Sequence, residues 1–260
     1  MSHLCSVIVP SYNRHEQLAT CLASLFQLHD QPSEIVVVDD GSTDRTRELL
    51  IVLGKEHHLR VVHHDKNLGK SAARNIGIAT ARSDIVVFID DDCIADRAWL
   101  SELLRGFDDP SVDVVFGATR YVHGIYGGHF PERVVQNFGR WPGGGNIAYR
   151  KKVFDVVGGF DQRFDVYNNE DTEMAIRAAA GGFHFQAVPD ATVRHQTSYW
   201  IASSLLASAR NSFVWPILQH RYPNHWNVFG VLPHHYIVQF FLILVKWIMF
   251  PIFRIRYMVK

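Results

Sequence analysis

The sequence predicts an α/β fold with a mostly parallel β-sheet flanked by helices, and two observations support this prediction. Short apolar runs rich in β-branched residues recur in the first part of the chain, at 6–10, 34–39, 59–63 and 84–90. The segments between them are long enough for one helix each, which is the signature of βαβ units. In such sheets ligands bind beyond the carboxyl ends of the strands, so the residues after each run are the first functional candidates.

The helices between these strands are indicated by leucine spacing and by capping residues. Leu18, Leu22 and Leu25 recur at three- and four-residue intervals, so they fall on one face of a first helix. Residues 42–44, Ser-Thr-Asp, offer side chains that can cap the helix that follows them. Together with the strands, these helices predict a doubly wound sheet.

The pattern changes in the second part of the chain. After a strand expected at 112–116, the segment 124–145 is rich in glycine and aromatic residues, and we interpret it as a mobile loop over the cleft. A helix is then predicted at 151–157, ended by the Gly-Gly pair 158–159. Another helix is expected between 169 and 181.

The charge composition excludes one class of partner. The 260 residues include 26 basic and 26 acidic side chains, so the chain has no global positive field of the kind that draws proteins to nucleic acid. We therefore predict no nucleic-acid partner.

The cysteines and histidines do not follow the spacing of a metal site. Cys5, Cys21 and Cys93 each lie among apolar neighbours, where a free thiol behaves as a small hydrophobe, and a reducing cytosol suits them. Of the 15 histidines, several are adjacent pairs such as His63-His64 without a ligand pattern. We expect most histidines at the surface.

The strongest chemical feature is the acidic triplet Asp90-Asp91-Asp92, which directly follows an apolar strand. Three adjacent carboxylates repel one another, so the fold would need something to offset that repulsion. A Mg²⁺ or Mn²⁺ ion, which prefers oxygen ligands, would do so while also binding the substrate phosphates. The alternative is an acidic turn that caps the next helix. The position at a strand end favours the metal site.

A second acidic pair, Asp39-Asp40, also ends an apolar strand and runs into Gly41-Ser42. A carboxylate there can accept hydrogen bonds from a nucleobase N–H or from ribose hydroxyls. Asp-Gly-Ser is also typical of turns and helix caps. Taken without the other acidic groups, the pair therefore favours a structural role over a binding role.

A third acidic group, Glu170, Asp171 and Glu173, begins the helix expected after residue 169. Acidic side chains in a first turn favour the helix dipole, and Glu173 with Arg177 forms an ordinary i,i+4 pair. If Asp171 or Glu170 faces the cleft, its carboxylate could instead remove the proton from an attacking hydroxyl as a general base.

Seven segments in this order resemble the family 2 glycosyltransferases, which are inverting enzymes with the GT-A fold. The resemblance extends over roughly residues 1–200. The segments are VIVPSYNR, IVVVDDGSTDRT, NLGKSAARNIGI, IVVFIDDDC, GGGNIAYRKKVFDVVGGFD, NEDTEMAIRAAAGG and VRH.

The resemblance implies a metal-dependent transfer of a sugar from a nucleotide sugar to an acceptor hydroxyl, with Mn²⁺ or Mg²⁺ as cofactor. It implies that Pro10, Tyr12, Asp40 and Arg74 contact the nucleotide, that Asp90 and Asp92 form the DXD pair, that Asp171 is the base, and that His195 completes the metal site. For His195 a hydrogen-bonded structural role is an equal alternative. We add Asn13, Asp39, Asp90 and Asp91 to the nucleotide-binding candidates and keep Glu170 as a second catalytic candidate. We expect Gly144, Gly145 and Asn146 to line the sugar and acceptor cleft.

The last part of the chain differs in composition, and residues 236–253 are almost wholly apolar. Lys246 and Pro251 lie within or at the end of this stretch and disfavour a membrane crossing, so we expect a segment that lies in the plane of the membrane surface. A buried helix of the fold, or a dimer contact, is the alternative. The absence of a signal peptide pattern at the N-terminus adds the expectation of a cytoplasmic protein on the inner face of the cell membrane.

These observations divide the chain into a glycosyltransferase domain, 1–200, and a helical tail, 201–260. Within the domain we expect a nucleotide-binding part, 1–120, and an acceptor part, 121–200. The expected reaction uses a UDP- or dTDP-sugar and a glycan or glycolipid acceptor, in surface polysaccharide or glycolipid synthesis. The alternatives are a sugar-nucleotide-binding protein without activity on the same fold and a sugar nucleotidyltransferase.

Overall fold

The computed structural model of the protein describes residues 4–57, 59–124, 133–136, 142–199, 211, 214–225 and 229. In this part of the chain nine strands form one sheet, in the order β3-β2-β1-β4-β8-β6-β9-β5, with β7 paired to β6. The strands are β1 Cys5–Ser11, β2 Glu34–Asp39, β3 Leu59–His63, β4 Ile85–Ile89, β5 Cys93–Ala95, β6 Val114–Gly124, β7 Arg133–Gln136, β8 Asn146–Arg150 and β9 Phe185–Tyr199. The helices are α1 His15–Phe26, α2 Thr46–Glu56, α3 Lys70–Thr80, α4 Trp99–Arg105, α5 Lys152–Val157, α6 Glu170–Ala180 and α7 Val214–Arg221, with a 3₁₀ helix at Gln162–Tyr167.

The first four strands are parallel, as their sequence pattern predicts. β1 pairs with β2 and β4, and β2 pairs with β3, all in parallel register. All five residues of β4 are buried because helices cover both faces of the sheet. Ile85, Val87 and Ile89 pack against the core that contains α1 and α4, whereas Val86 and Phe88 pack against the core that contains α3, α5 and α6.

The second half of the sheet is mixed, and its register positions the functional candidates. β8 runs antiparallel to β4 with Ile89 opposite Asn146, which brings the glycines before Asn146 next to the residue after Ile89. β9 runs antiparallel to β5 with Cys93 opposite His195, which brings His195 next to the acidic triplet. Both pairings join residues that are far apart in sequence.

The expectation of a loop without strands across 124–145 is wrong in part. β6 continues to Gly124, and β7 pairs with it in antiparallel register. The sequence did not indicate these strands because they carry little strand periodicity. Of the other residues in that predicted loop, 142–145 lead into β8, whereas 125–132 and 137–141 lie outside the described ranges.

The three cysteines are buried and free, as expected. Burial raises the pKa of the Cys5 thiol to about 12 and the pKa values of Cys21 and Cys93 well above their ordinary value. All three therefore stay neutral and behave as small apolar side chains.

Part of the predicted tail packs on the domain. Val214 and Leu218 of α7 are fully buried in a small apolar cluster with Phe164 and Ile176, and Ile176 belongs to α6. The apolar residues 236–253 lie outside the described ranges, so the in-plane membrane segment and the boundary at residue 200 stay predictions. Within the ranges given above, no helix combines the length and apolarity needed to cross a bilayer.

Candidate active site

A cavity of about 270 Å³ opens at the edge of the sheet where β1, β2 and β4 end. Five of the predicted nucleotide-binding residues line it, namely Pro10, Tyr12, Asp40, Asp90 and Asp91. Tyr12 is 42% exposed, so its side chain is accessible to a ligand in the cavity. The rule that ligands bind at the carboxyl edge of a parallel sheet therefore located the cavity correctly.

Asn13 lies in the loop between β1 and α1 and holds that loop to the next one. Its backbone has a φ of 53°, a left-handed conformation that asparagine tolerates better than most residues. Its Oδ1 accepts hydrogen bonds from the backbone N–H of Thr43 (2.7 Å) and Asp44 (3.3 Å). Its own N–H donates to Ser42 Oγ at 2.9 Å. Asn13 thus shapes the rim of the cavity and is not one of its lining residues.

Asp39 and Asp40 are buried at the end of β2 and have separate sets of partners. Asp39 Oδ1 accepts from the backbone N–H of Ser42 at 3.0 Å, and Oδ2 lies 3.0 Å from His63 Nδ1. The Asp39 carboxylate therefore serves the turn that follows β2, in agreement with the structural alternative for this pair.

Asp40 instead faces the cavity and fixes the loop before α3. Its Oδ1 accepts from Leu68 N–H at 3.0 Å and lies 2.6 Å from His64 Nδ1, and its Oδ2 accepts from Gly69 N–H at 2.9 Å. Our expectation that most histidines lie at the surface is wrong for His64, whose ring is nearly buried against Asp40. Sequence spacing gave no sign of this pairing because it joins the ends of two different strands.

The first two carboxylates of the acidic triplet have pKa values that are shifted in opposite directions. Asp91 is buried and accepts from Ser11 Oγ at 2.7 Å and from Arg14 Nη1 at 3.1 Å. Burial raises the Asp91 pKa to about 6, although Arg14 and Ser11 oppose this. Burial would also raise the Asp90 pKa, but the positive charges of Lys70 and Arg74 outweigh it and hold that pKa at about 2. Asp90 is therefore ionised throughout the neutral range.

Asp92 faces His195, the third predicted metal ligand. Asp92 Oδ1 lies 3.3 Å from His195 Nε2, and Asp92 Oδ2 contacts the Arg14 guanidinium. His195 Nδ1 lies 2.9 Å from the backbone oxygen of Gln196, which can only accept a hydrogen bond, so Nδ1 carries the proton. In the neutral ring, Nε2 and the Asp92 carboxylate then face each other as two acceptors, and a cation between them would relieve that contact.

These donors fit a divalent cation, since imidazole nitrogen and carboxylate oxygen are common ligands and the Gln196 carbonyl fixes the ring tautomer. Asp90, the remaining predicted ligand, is engaged by Arg74 Nη2 at 3.0 Å and lies 3.8 Å from Lys70 Nζ. Among the residues whose positions are described, no three His, Cys, Asp or Glu side chains converge on one point. The structure thus brings Asp92 and His195 together and turns Asp90 toward α3.

The two acidic residues that begin α6 point in different directions. Asp171 Oδ2 accepts from the backbone N–H of Gly144 at 2.8 Å, and its Oδ1 accepts from Thr172 N–H at 2.7 Å. Glu170 is buried, and its Oε1 accepts from Arg74 Nη1 at 2.5 Å. Burial and, after it, the negative charge of Glu170 raise the pKa of Asp171 above its ordinary value. Asp171 is therefore a stronger base than a solvated aspartate.

Two glycines bring the strand end and α6 into contact. A Cβ atom on Gly144 would lie 2.5 Å from Arg74 Nη2 and 2.9 Å from Asp171 Cβ. A Cβ atom on Gly145 would lie 2.9 Å from Asp90 Oδ2. Glycine at positions 144 and 145 therefore lets this segment, which we call the glycine strip (residues 143–145), pass between Asp90 and Asp171.

Asn146 does not occupy the cleft position that we expected. It is 1% exposed, and its amide donates to the carbonyls of Ala118 and Ala191, both at 2.9 Å. Its Oδ1 accepts from Trp99 Nε1 at 2.8 Å. Because all of these partners are internal, Asn146 holds β8, β6 and β9 together beneath the site.

Arg74 lies below the cavity and is fully buried. Its two Nη atoms donate to Glu170 and Asp90, and its guanidinium lies 5.2 Å from the centre of the Phe160 ring. Arg74 thus links the acidic triplet to α6 and is not one of the residues that line the cavity.

Six further residues line the cavity and were not among our candidates: Ser11, Arg14, Asn67, Gly69, Lys70 and Ala73. Asn67 and Gly69 come from the loop between β3 and α3, and Lys70 begins α3. The signal that could have found them was present, because the segment Asn-Leu-Gly-Lys follows a strand end just as the acidic pairs do. A basic residue shortly after a strand end of a parallel sheet indicates a ligand-binding position just as an acidic residue does.

Comparison with known proteins gives a family model and curated relatives. The model of glycosyl transferase family 2 matches residues 6–171. The chain is 28% identical over 237 residues to chondroitin synthase of Pasteurella multocida, a match that covers 74% of this chain and 24% of that protein. It is 29% identical over 222 residues to the pre-mycofactocin glycosyltransferase of Mycobacterium tuberculosis, covering 76% and 44%. The chain therefore spans less than half the length of either relative.

Two solved structures share the fold. A mannosyltransferase of Pyrobaculum calidifontis, in complex with GDP-mannose and Mn²⁺, superposes with a TM-score of 0.64 at 22% identity, covering 83% of this chain and 62% of that one. Residues 1–349 of TarS from S. aureus, in complex with UDP-GlcNAc, give a TM-score of 0.62 at 19% identity, covering 90% and 69%. At these identities the likeness concerns the fold alone, and it confirms the predicted GT-A architecture.

Proposed function

We propose, since this chain belongs to glycosyl transferase family 2, that it moves a sugar from a nucleoside-diphosphate donor to an acceptor hydroxyl with inversion at the sugar. One observation carries the proposal: the glycine strip touches the ionised Asp90 on one side and Asp171 on the other. A donor held at the strand ends would then present its sugar to a base on α6.

The nucleotide end of the donor would bind between Tyr12 and Asp40. The exposed ring of Tyr12 offers a face for stacking on a base. Asp40 Oδ2 uses one hydrogen bond on Gly69 and keeps further acceptor capacity for a donor group on the base or ribose. A UDP- or dTDP-sugar is our choice of donor, because the imide N–H of uracil or thymine suits a carboxylate acceptor.

Asp92 and His195 are the residues that would hold Mn²⁺ or Mg²⁺. When bound, such an ion neutralises the diphosphate as it departs. The P. calidifontis neighbour in complex with Mn²⁺ supports use of a divalent ion. Asp90 would assist from the same strand end while Arg74 keeps it in place.

Asp171 is the proposed general base, and Glu170 is its neighbour and not its substitute. The backbone N–H of Gly144 orients the Asp171 carboxylate, and its raised pKa makes it a stronger base toward an acceptor hydroxyl. The Glu170 side chain is directed to Arg74. The acceptor would be a glycan or glycolipid, and the apolar residues 236–253 would keep the enzyme at the inner face of the membrane.

The test is a release and transfer assay with a panel of UDP-, dTDP- and GDP-sugars in Mn²⁺. We expect one donor class to be hydrolysed slowly and transferred faster to an acceptor, and excess EDTA to abolish both reactions. Asp92→Ala should lose metal-dependent donor binding, whereas Asp30→Ala, a change at an exposed aspartate, should not. Full turnover in EDTA would contradict the metal assignment. Donor binding without turnover would identify a non-catalytic protein. Formation of a nucleoside triphosphate and a sugar 1-phosphate from the nucleotide sugar on addition of pyrophosphate would identify a nucleotidyltransferase.

A further inference from the structure

We propose that Lys70 is a donor-binding residue that donates hydrogen bonds to the phosphate next to the sugar, the β-phosphate of a nucleoside diphosphate. This inference rests on the proposed function and deepens it, because it names a determinant of the donor that neither the sequence pattern nor the acidic candidates supplied.

The first argument is the unused donor capacity of Lys70 inside the cavity. Its side chain lines the cavity and is 40% exposed. Its Nζ lies 3.8 Å from Asp90 Oδ2 and 4.0 Å from Glu170 Oε1. Both distances exceed that of a hydrogen bond, so in the part of the chain that the structure describes these carboxylates attract the ammonium group without using its donors.

The second argument is the contrast with Arg74, one helical turn later on the same face of α3. Arg74 is buried and donates to the same two carboxylates, Asp90 and Glu170, at hydrogen-bond distance. The structural pairing of those carboxylates is therefore already provided. Lys70 adds a second positive charge at a place where the fold does not need one for hydrogen bonding.

The third argument is electrostatic. The negative charges of Asp90, Glu170 and Asp171 all act on Lys70 at this end of the cavity, and Arg74 neutralises only one of the three. A diphosphate that entered would meet a negative site, since like charges in a poorly solvated cleft repel strongly. Lys70 reduces that excess on the cavity side, where an anionic ligand would lie.

The position of Lys70 indicates that it contacts the β-phosphate and not another part of the donor. Its ammonium group lies between Asp90, at the strand end, and Glu170, which precedes the proposed base on α6. The bond that breaks in the reaction joins the sugar to the β-phosphate, and the acceptor oxygen forms the new bond while its proton passes to Asp171. The electron pair stays on the β-phosphate oxygen, within the range of Lys70 Nζ.

The experiment compares the binding of nucleoside diphosphates and monophosphates by calorimetry, using UDP and UMP, dTDP and dTMP, and GDP and GMP, in Mn²⁺. In the wild type the diphosphate of the preferred base should bind more tightly. Lys70→Met should weaken diphosphate binding about 10- to 100-fold, the scale of a lost charge-assisted hydrogen bond, and leave monophosphate binding unchanged. Lys70→Arg should restore most of the loss.

Lys66→Met is the matched control, because Lys66 is an exposed lysine of the loop that leads into α3. It removes the same charge from the protein and should alter neither affinity. An equal loss for monophosphate and diphosphate in Lys70→Met, or no loss, would overturn the role of Lys70 while leaving the proposed function intact. If the wild type binds none of the six nucleotides, the proposed function fails and the inference fails with it. Thermal melting of each variant checks that it is folded.

Discussion

The carboxylates on the two sides of the cleft have different kinds of partner. On the strand-end side (residues 10–14, 39–45 and 90–92), Asp39 and Asp40 accept hydrogen bonds from backbone N–H groups of nearby loops. On the helix side (α6 and its contacts), Glu170 and Glu173 are buried against guanidinium groups. Contacts of the first kind join a buried carboxylate to neutral backbone donors. Buried ion pairs of the second kind become costly when one partner is removed.

The largest expected difference between the two sides concerns their arginines. Arg74→Met should lower the free energy of unfolding by about 3–5 kcal/mol, because it leaves Glu170 buried without its partner. Arg14→Met should cost about 1 kcal/mol or less, because the Arg14 side chain is 45% exposed where it contacts Asp91 and Asp92. Urea unfolding of both variants measures the contrast.

A double variant separates the lost ion pair from a general packing defect. Arg74→Met combined with Glu170→Leu removes both charges, so it should regain part of the stability that Arg74→Met alone loses. Equal losses for Arg74→Met and Arg14→Met would show that the two sides do not differ in this respect.

A smaller effect is expected where α7 meets α6. The Tyr222 hydroxyl donates to Glu173 Oε1 at 2.6 Å, and Glu173 also accepts from Arg177 Nε at 3.0 Å. Tyr222→Phe should therefore cost about 1.5 kcal/mol, the lower end for a hydrogen bond to a charged group, since Arg177 still compensates Glu173. Tyr12→Phe, on the strand-end side, is the control and should leave stability unchanged. A neutral Tyr222→Phe would mean that residues after 200 do not stabilise α6 through this contact.

Much of the strand-end side could be predicted from the sequence because its structure is local. The strands at 34–39 and 59–63 coincide with β2 and β3, since a period-two or continuous apolar run is read within a few residues. Asp40 and Asp90 line the cavity because the carboxyl ends of parallel strands share one edge. The family resemblance added the fold, which the solved structures confirm.

The helix side could be predicted only in outline. The start of α6 after Asn169 followed from the acidic residues of its first turn, although the Asn169 side chain makes no capping hydrogen bond. Which way Glu170 turns depends on Arg74, 96 residues earlier in the chain, and the burial of Asn146 depends on the register of β8 between β4 and β6. Such long-range pairings leave no periodicity in the sequence, so the bridge made by Arg74 and the core position of Asn146 were both missed.

The smallest expected effect is a shift in the pH dependence of turnover when the charge of Glu170 is removed. A general base works when it is deprotonated, so turnover should rise with pH through the Asp171 pKa, which burial and Glu170 raise. Glu170→Gln removes a negative charge beside Asp171, which lowers that pKa and should move the acid limb of the kcat profile to lower pH. Measuring kcat against pH for both proteins tests this. A shift to higher pH would contradict the assignment of Asp171 as the titrating group.

The central claim is that Asp171 removes the acceptor proton, and transfer rates at saturating donor test it most directly. Asp171→Asn keeps the shape of the side chain, but its single carbonyl oxygen can accept from only one of the two backbone N–H groups, Gly144 or Thr172. Donor affinity should change little, and the melting temperature should fall slightly because one hydrogen bond is lost. Its turnover should fall by about two to four orders of magnitude, the usual scale for loss of a base. Glu170→Gln, measured beside it, should retain most of the turnover. Transfer by Asp171→Asn at a rate near that of the wild type would contradict this assignment. If Glu170→Gln were also inactive, Glu170 would be the base instead.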